Sequence, residues 1–128
     1  MSTQEASEAF RTLYEAWRPT AIVLGAPRIT IGALDAIGNL KLRVPDDLSV
    51  MGFGDQAWMN GWGPGLSTIR MPVRDLALAC GSFLLRRIRE KSRETALGRA
   101  DFCQTMHRPS LILRGSTAPP CPTPAAVP

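Results

Sequence analysis

The alternation of long amphipathic segments with short, unbroken apolar runs constrains this chain more than any other feature. The two runs are Ala21-Ile22-Val23-Leu24-Gly25 and Leu48-Ser49-Val50-Met51-Gly52-Phe53. Such runs, with little polar alternation, suit strands covered on both faces, as in a parallel sheet. Before the first run, residues 4–17 repeat apolar side chains at helical spacing: Ala6, Phe10, Leu13, Tyr14 and Trp17. Ser2 followed by Glu5 has the pattern of a capping box. Arg18-Pro19 ends the helix, because the residue before proline is pushed out of the right-handed helical region. A second helix, over about 28–41, presents Ile29, Ala33, Ile37 and Leu40 on one face, and a turn at Val44-Pro45-Asp46-Asp47 leads to the second strand. Helix, strand, helix, strand with short connections predicts an α/β fold built on a Rossmann-like parallel sheet flanked by helices.

Further along, Gly54 to Gly65 reads as a glycine-rich loop that nevertheless carries Trp58, Met59 and Trp62. A third strand, Leu66 to Arg70, stops at Pro72. A long helix over about 73–91 turns Val73, Leu76, Cys80, Phe83, Leu84 and Ile88 to one side. Residues 92–108 are polar and irregular, and Leu111 to Arg114 form a last strand. Five of the eleven residues from Ala118 to Pro128 are proline, so this tail is expected to be disordered.

Several function classes are set aside by what the sequence lacks. The 128 residues are 45% hydrophobic and 20% charged, a globular balance. No window holds 18 consecutive apolar residues, and MSTQEASEAF has no secretory pattern, so a cytoplasmic protein without a membrane partner is expected. Cys80, Cys103 and Cys121 form no CxxC pair and fit a reducing compartment. His107, the only histidine, sits in Met106-His107-Arg108-Pro109 and reads as a surface-loop residue rather than a catalytic base. Zinc spacing is absent, so no metal and no cofactor are expected. Gly52-Phe53-Gly54 starts like a dinucleotide fingerprint, but the third glycine does not follow. Asp46-Asp47 reads as a turn, and the whole argues against an enzyme. The net charge of +4 would permit nucleic-acid contact. The basic cluster between Arg86 and Arg99 instead crowds a helix end, where cations complement the macrodipole. No aromatic residue is interleaved for stacking.

Four segments taken in order carry a family resemblance: Ile31-Gly32-Ala33-Leu34, Leu42 to Phe53 with its Val44-Pro45-Asp46-Asp47 centre, Pro64 to Pro72, and Leu111-Ile112-Leu113-Arg114-Gly115-Ser116-Thr117. Together they resemble the effector-binding domain of LacI/GalR-type transcription regulators, a periplasmic-binding-protein-like type I fold. The resemblance implies an incomplete sensor domain over 1–117. Within it, 1–65 and 111–117 match the second subdomain, and 66–108 the crossover strand, helix and loop toward the first. The implied function is effector sensing and dimerisation in a LacI-type regulator, a repressor of transcription, whose helix-turn-helix headpiece is not in this chain. Operator DNA would be a partner only through that headpiece, and the complete protein would be a homodimer. The resemblance also implies that helix 73–91 leaves its apolar face exposed when its partner strands are absent. Two other readings stay open, a fragment of a periplasmic-type sugar-binding protein and a non-functional truncated remnant. Arg114-Gly115-Ser116-Thr117 favours the regulators over the former.

In open α/β sheets, ligands bind beyond the carboxyl ends of the strands. Here those ends are Gly25-Ala26-Pro27-Arg28 and Gly52-Phe53-Gly54-Asp55. The family commonly has Asn-Asp at Ala26-Pro27 and Asp-Asp at Gly54-Asp55, so two groups that bind sugar hydroxyls are gone. The Gly-Phe-Gly-Asp version resembles the branch responding to sugar acids. Ala26, Arg28, Gly54 and Asp55 are therefore the candidate effector-binding residues for a sugar or sugar acid. Arg28 supplies a guanidinium fork for a carboxylate, or else is solvated in the first helical turn; Asp55 contributes to the site or is a turn residue. Trp58 and Trp62 are candidates for the dimer interface, with packing over the sheet edge as the alternative. Lys41 stands where the family usually places glycine, which predicts a strained left-handed residue.

Overall fold

The computed structural model describes residues 2–91 and 104–120. Two units are distinguished, Met1–Arg70 with Leu111–Pro128, and Met71–Ser110.

In the first unit, Ser2 caps helix α1 (Thr3–Trp17). Its hydroxyl accepts from the Glu5 amide at 3.1 Å, and the Glu5 carboxylate accepts from the Ser2 amide at 2.8 Å. Two amides that the helix start would leave orphaned are thereby satisfied. Arg18 ends the helix in the left-handed region with φ 45°, and its guanidinium lies 5.2 Å from the centre of the Tyr14 ring. Ala6, Phe10 and Tyr14 are buried as the periodicity predicts, whereas Leu13 and Trp17 are exposed.

Strand β1 (Ala21–Val23) leads into helix α2 (Pro27–Asn39), then strand β2 (Ser49–Phe53), a short helix α3 (Ala57–Gly61) and strand β3 (Ser67–Arg70). After helix α4 (Val73–Lys91) comes strand β4 (Ser110–Ile112), and the sheet runs in the order β1-β2-β3-β4. β1 pairs parallel with β2, Ile22 opposite Val50, and β2 pairs parallel with β3, Phe53 opposite Ile69. β2 fits its expectation: Ser49, Val50 and Gly52 are buried. β1 does not. It lies at the sheet's edge with Val23 64% exposed, so the expected covering of both faces is absent there. An apolar run permits burial, but only a neighbouring layer supplies it. β3 belongs to the first unit, which divides from the second after Arg70.

α1 packs across α2 through Gly32, where an added Cβ would stand 2.7 Å from the Ala6 Cβ and 3.0 Å from the Ser7 amide nitrogen. Below this layer, Ala36, Ile37, Leu48, Val50, Met59 and Leu66 form the fully enclosed centre of the core. Ile29 and Leu40, expected on the inner face of α2, pack at its margin.

The Arg114-Gly115-Ser116-Thr117 segment serves the sheet directly. Ser116 Oγ donates to the Val50 carbonyl at 2.6 Å and accepts from the Ser67 amide at 2.8 Å, so one buried hydroxyl bridges β2 and β3. Gly115 approaches too closely for a side chain, since an added Cβ would lie 2.6 Å from the Pro64 carbonyl. Ala118, expected to begin a disordered tail, instead donates its amide to Ser49 Oγ at 3.0 Å. Residues 121–128 of that tail lie outside the described residues.

Lys41 follows α2 with φ 54°, the left-handed conformation the sequence comparison predicted. A Cβ in that region costs about 1–2 kcal/mol, offset in part by the extra unfolded-state freedom of glycine. Lys41→Gly is expected to stabilise the chain by about 1 kcal/mol, read as a rise of several degrees in a thermal melt.

In the second unit, α4 leaves Val73, Leu78, Leu84, Leu85 and Ile88 exposed, with Leu76 and Phe83 half-buried. Cys80 is exposed as well. Arg86, Arg87 and Arg89 are exposed, while the basic residues at 93 and 99 fall among residues 92–103, outside the described ones. Among the described residues, no helix is long and apolar enough to cross a membrane.

Candidate functional site

The carboxyl ends of β1 and β2 meet, as parallel pairing requires. β1 runs into Leu24, whose amide donates to the Met51 carbonyl at 2.8 Å. The chain then turns through Gly25 and enters α2 at Ala26, an extended residue with no capping side chain, followed by Pro27. Proline suits that place, since its missing N–H would have no partner there. Directly opposite, Gly54 follows β2 with φ 84°, and an added Cβ would lie 3.7 Å from Pro27 Cγ. There is room for a side chain at Gly54, but the backbone conformation disfavours one. Thr68 Oγ1 donates to the Gly54 carbonyl and the Gly54 amide donates to Ile69 at 3.0 Å, fixing this turn to β3.

Of the four effector candidates, Ala26 and Gly54 contribute no polar side-chain atom, and Gly54 faces Pro27. The Arg28 side chain is exposed in the first turn of α2 and makes no hydrogen bond or ion pair with a described residue. Asp55 is different, being held on both oxygens. Arg114 Nη2 donates to Oδ1 at 2.7 Å, while Arg70 donates to Oδ2 through Nε at 2.8 Å and also through Nη2. The side chain of Asp55 is 10% exposed, that of Arg114 15%, and that of Arg70 54%. The hydrogen bond from Arg114, then that from Arg70, holds the Asp55 carboxyl below the usual carboxylate range. Asp55 is therefore more than a turn residue.

The two arginines were not singled out as site residues from sequence. Register explains Arg70: Phe53 lies opposite Ile69, so the residues just past each strand end become neighbours. Arg114 is 59 residues from Asp55, and nothing local to either signals the pairing.

The stretch expected to be a loop contains the short helix α3, which places Met59 in the core and half-buries Trp62 against it. Trp58 remains 37% exposed and donates its indole N–H to Gln56 Oε1 at 2.7 Å. Trp58 and Trp62 line an apolar cleft of about 420 Å³ with Ile31, Leu34 and Asp35 of α2. A larger groove of about 620 Å³, bordered by Tyr14, Arg43, Asp47 and Pro119, lies at the opposite, amino-terminal end of the strands. One wall of it is the turn in which Asp47 accepts from the Arg43 amide at 2.8 Å and from Arg43 Nη2 at 2.7 Å. His107 Nε2 lies 3.2 Å from Thr105 Oγ1.

Comparison with known proteins agrees with this architecture. The periplasmic binding protein-like domain family matches residues 1–117. The HTH-type transcriptional repressor PurR of Pectobacterium atrosepticum is 37% identical over 101 residues, covering 79% of this chain and 28% of that protein. A LacI family transcriptional regulator from Mycobacterium smegmatis is 31% identical with a TM-score of 0.75, covering 94% of this chain and 43% of that structure. Another from Lactobacillus casei, with bound sucrose, is 26% identical with a TM-score of 0.67, covering 91% of this chain and 41% of that one. The chain spans about a quarter of the length of the curated relatives it matches.

Proposed function

The chain belongs to the periplasmic binding protein-like domain family, in the form that LacI-type transcription regulators carry, and on that premise we propose that it is the effector-sensing and dimerising part of such a regulator, acting in the cytoplasm. The observation that carries this reading is the meeting of Pro27 with Gly54 at the carboxyl ends of two parallel strands. Ligands of open α/β sheets lodge there. The effector is a small molecule, a sugar or a sugar acid, with Ala26, Arg28 and Gly54 at its binding surface and Asp55 beneath. The proposed subunit contact is the cleft where Trp58 and Trp62 face Ile31 and Leu34, because aromatic side chains concentrate in interface cores. DNA contact belongs to a headpiece outside these residues: α1 and α2 commit their apolar stripes to each other and to the core, so neither is free to lie in the major groove as a recognition helix.

Two measurements test the reading. Backbone NMR titration with a panel of sugars and sugar acids is expected to shift the amides at 25–28 and 54–55. Shifts confined to the groove beside Tyr14 and Pro119 would move the site elsewhere. A mobility-shift titration with operator-like and scrambled duplexes at about 150 mM salt, near physiological strength, is expected to show equal, weak, salt-sensitive binding. Tight binding that separates the two duplexes would place DNA recognition in this chain and overturn the assignment.

A further inference from the structure

The groove of about 620 Å³ at the amino-terminal end of the strands has no part in the strand-end site. Its walls come from three separate stretches: Tyr14 of α1, the turn from Leu42 to Asp47, and Ala118-Pro119. Tyr14 is only 8% exposed, its ring stacked on Phe10 and covered by the Arg18 guanidinium. A tyrosine this buried ordinarily finds a partner for its O–H, yet the Tyr14 hydroxyl makes no hydrogen bond with a described residue. Among the described residues no side-chain oxygen is both closed to solvent and unpartnered. The Tyr14 hydroxyl therefore opens to solvent, on the groove that Tyr14 lines. Leu42, Pro45 and Pro119 add apolar wall around it.

The chain passes this groove directly after an anchor. Ser49 Oγ donates to the Ala118 carbonyl and accepts from the Ala118 amide, each at 3.0 Å. Residues 120–128 follow as Pro-Cys-Pro-Thr-Pro-Ala-Ala-Val-Pro, four prolines in nine residues and no charged side chain. Proline lacks the backbone donor but keeps the carbonyl, so a proline-rich segment offers a surplus of acceptors. Grooves lined by aromatic rings bind such segments, because little chain freedom is left to lose. The groove beside Tyr14 has the complementary set: apolar walls, and an O–H with no acceptor.

We propose that this groove is the docking site of the chain's own residues 120–128, with prolines against Tyr14, Leu42 and Pro45 and the Tyr14 hydroxyl donating to a carbonyl of the segment. Attachment at Pro119, on the groove wall, favours this occupant over a segment of another protein. It holds the segment at an effective concentration of the order of millimolar and removes the entropy of association. Reach is no obstacle, since nine residues of extended proline-rich chain span about 28 Å at about 3.1 Å each. Docking ties the segment after β4 to α1 and to the turn before β2.

The test is NMR on the full 128-residue chain, in which Tyr14 is the only tyrosine and its ring protons are unambiguous. Nuclear Overhauser contacts between that ring and the prolines at 122 or 124 are expected, with an intensity independent of protein concentration. A chain ending at Pro119 should show shifted amides at 42–47, and a peptide of residues 120–128 added to it should restore them. The peptide should bind the full chain about tenfold more weakly, the ratio that a millimolar effective concentration gives against a Kd of about 0.1 mM. Tyr14→Phe keeps the ring and removes the hydroxyl. In the shortened chain it should weaken the peptide about fivefold, as the loss of one neutral hydrogen bond does. Where either of these variants does not fold, Pro122→Gly with Pro124→Gly in the full chain decides, and should abolish the Tyr14 contacts and shift the amides at 42–47. Amides at 42–47 that respond neither to shortening nor to the peptide, or to the double replacement where that decides, overturn the proposal. Contacts that grow with protein concentration assign the groove to the segment of a second copy. Equal peptide affinity for the full and shortened chains assigns it to a proline-rich segment of another protein. Either result overturns docking of the chain's own segment.

Discussion

Gly32→Ala is expected to destabilise the chain by about 2 kcal/mol, although the same replacement normally strengthens a helix. Alanine is preferred over glycine in a helix interior by about 1 kcal/mol, so propensity alone predicts a gain. At Gly32 the new Cβ would overlap the Thr3 carbonyl oxygen and stand 2.7 Å from the Ala6 Cβ and 3.0 Å from the Ser7 nitrogen. Two of these three are backbone atoms of α1, which no rotamer change can move aside. α1 must therefore lift from α2, loosening Phe10 and Tyr14 in the core. Overpacking of this kind costs about 1–3 kcal/mol, and with the helix itself displaced the upper end applies, leaving a net loss after propensity is counted. Gly38 is the internal control. It lies in the same helix with nothing within 4 Å of an added Cβ, so Gly38→Ala should stabilise by about 0.5–1 kcal/mol. Urea unfolding followed by circular dichroism should move the two midpoints in opposite directions. Movement in the same direction would mean that α1 does not rest on Gly32.

Local chemistry was legible in the residues, and layer chemistry was not. The Ser2 and Glu5 cap is written within four residues, and the structure forms both of its bonds. Lys41 was readable only through the family resemblance, which places glycine at that helix end, and its backbone is left-handed. β1 was misjudged because its apolar run reports what the strand tolerates, whereas Val23 is exposed by what does not cover it. α3 was missed because five residues, the last of them Gly61, give no measurable helical period. Ser116 reads in sequence as part of a familiar ending, and the fold makes it the hydroxyl that joins β2 to β3. The site divides in the same way. Strand ends mark where a ligand can lodge, so Ala26, Arg28, Gly54 and Asp55 could be named. The partners of Asp55 come from 15 and 59 residues away, and register alone brings them in.

Asp55→Asn should lower stability by about 2 kcal/mol at neutral pH, and the loss should fade as the solution is acidified. The replacement keeps the shape of the side chain but removes the charge facing Arg114, which is only 15% exposed, and Arg70, which is 54% exposed. A hydrogen bond to a charged partner contributes about 1.5–3 kcal/mol when sheltered. The Arg114 bond supplies most of the expected loss. The Arg70 contact, screened by water, adds less than about 1 kcal/mol. Because the folded-state value of Asp55 is lowered, its contribution is complete above the unfolded carboxylate value of about 3.9 and disappears as pH falls through the lower folded value. Melting temperatures of the parent and Asp55→Asn should thus differ by several degrees at pH 7 and converge as pH falls through the lowered folded-state value of Asp55, below which both side chains are neutral. Asp47 offers a contrast, since its carboxylate is also held low but by the largely exposed Arg43. Asp47→Asn should accordingly give a smaller difference that added salt removes, while the Asp55 difference persists in salt. A gap between parent and Asp55→Asn that stays constant with pH would assign the effect to packing, and the charge on Asp55 would then have no part in holding β2, β3 and the segment after β4 together.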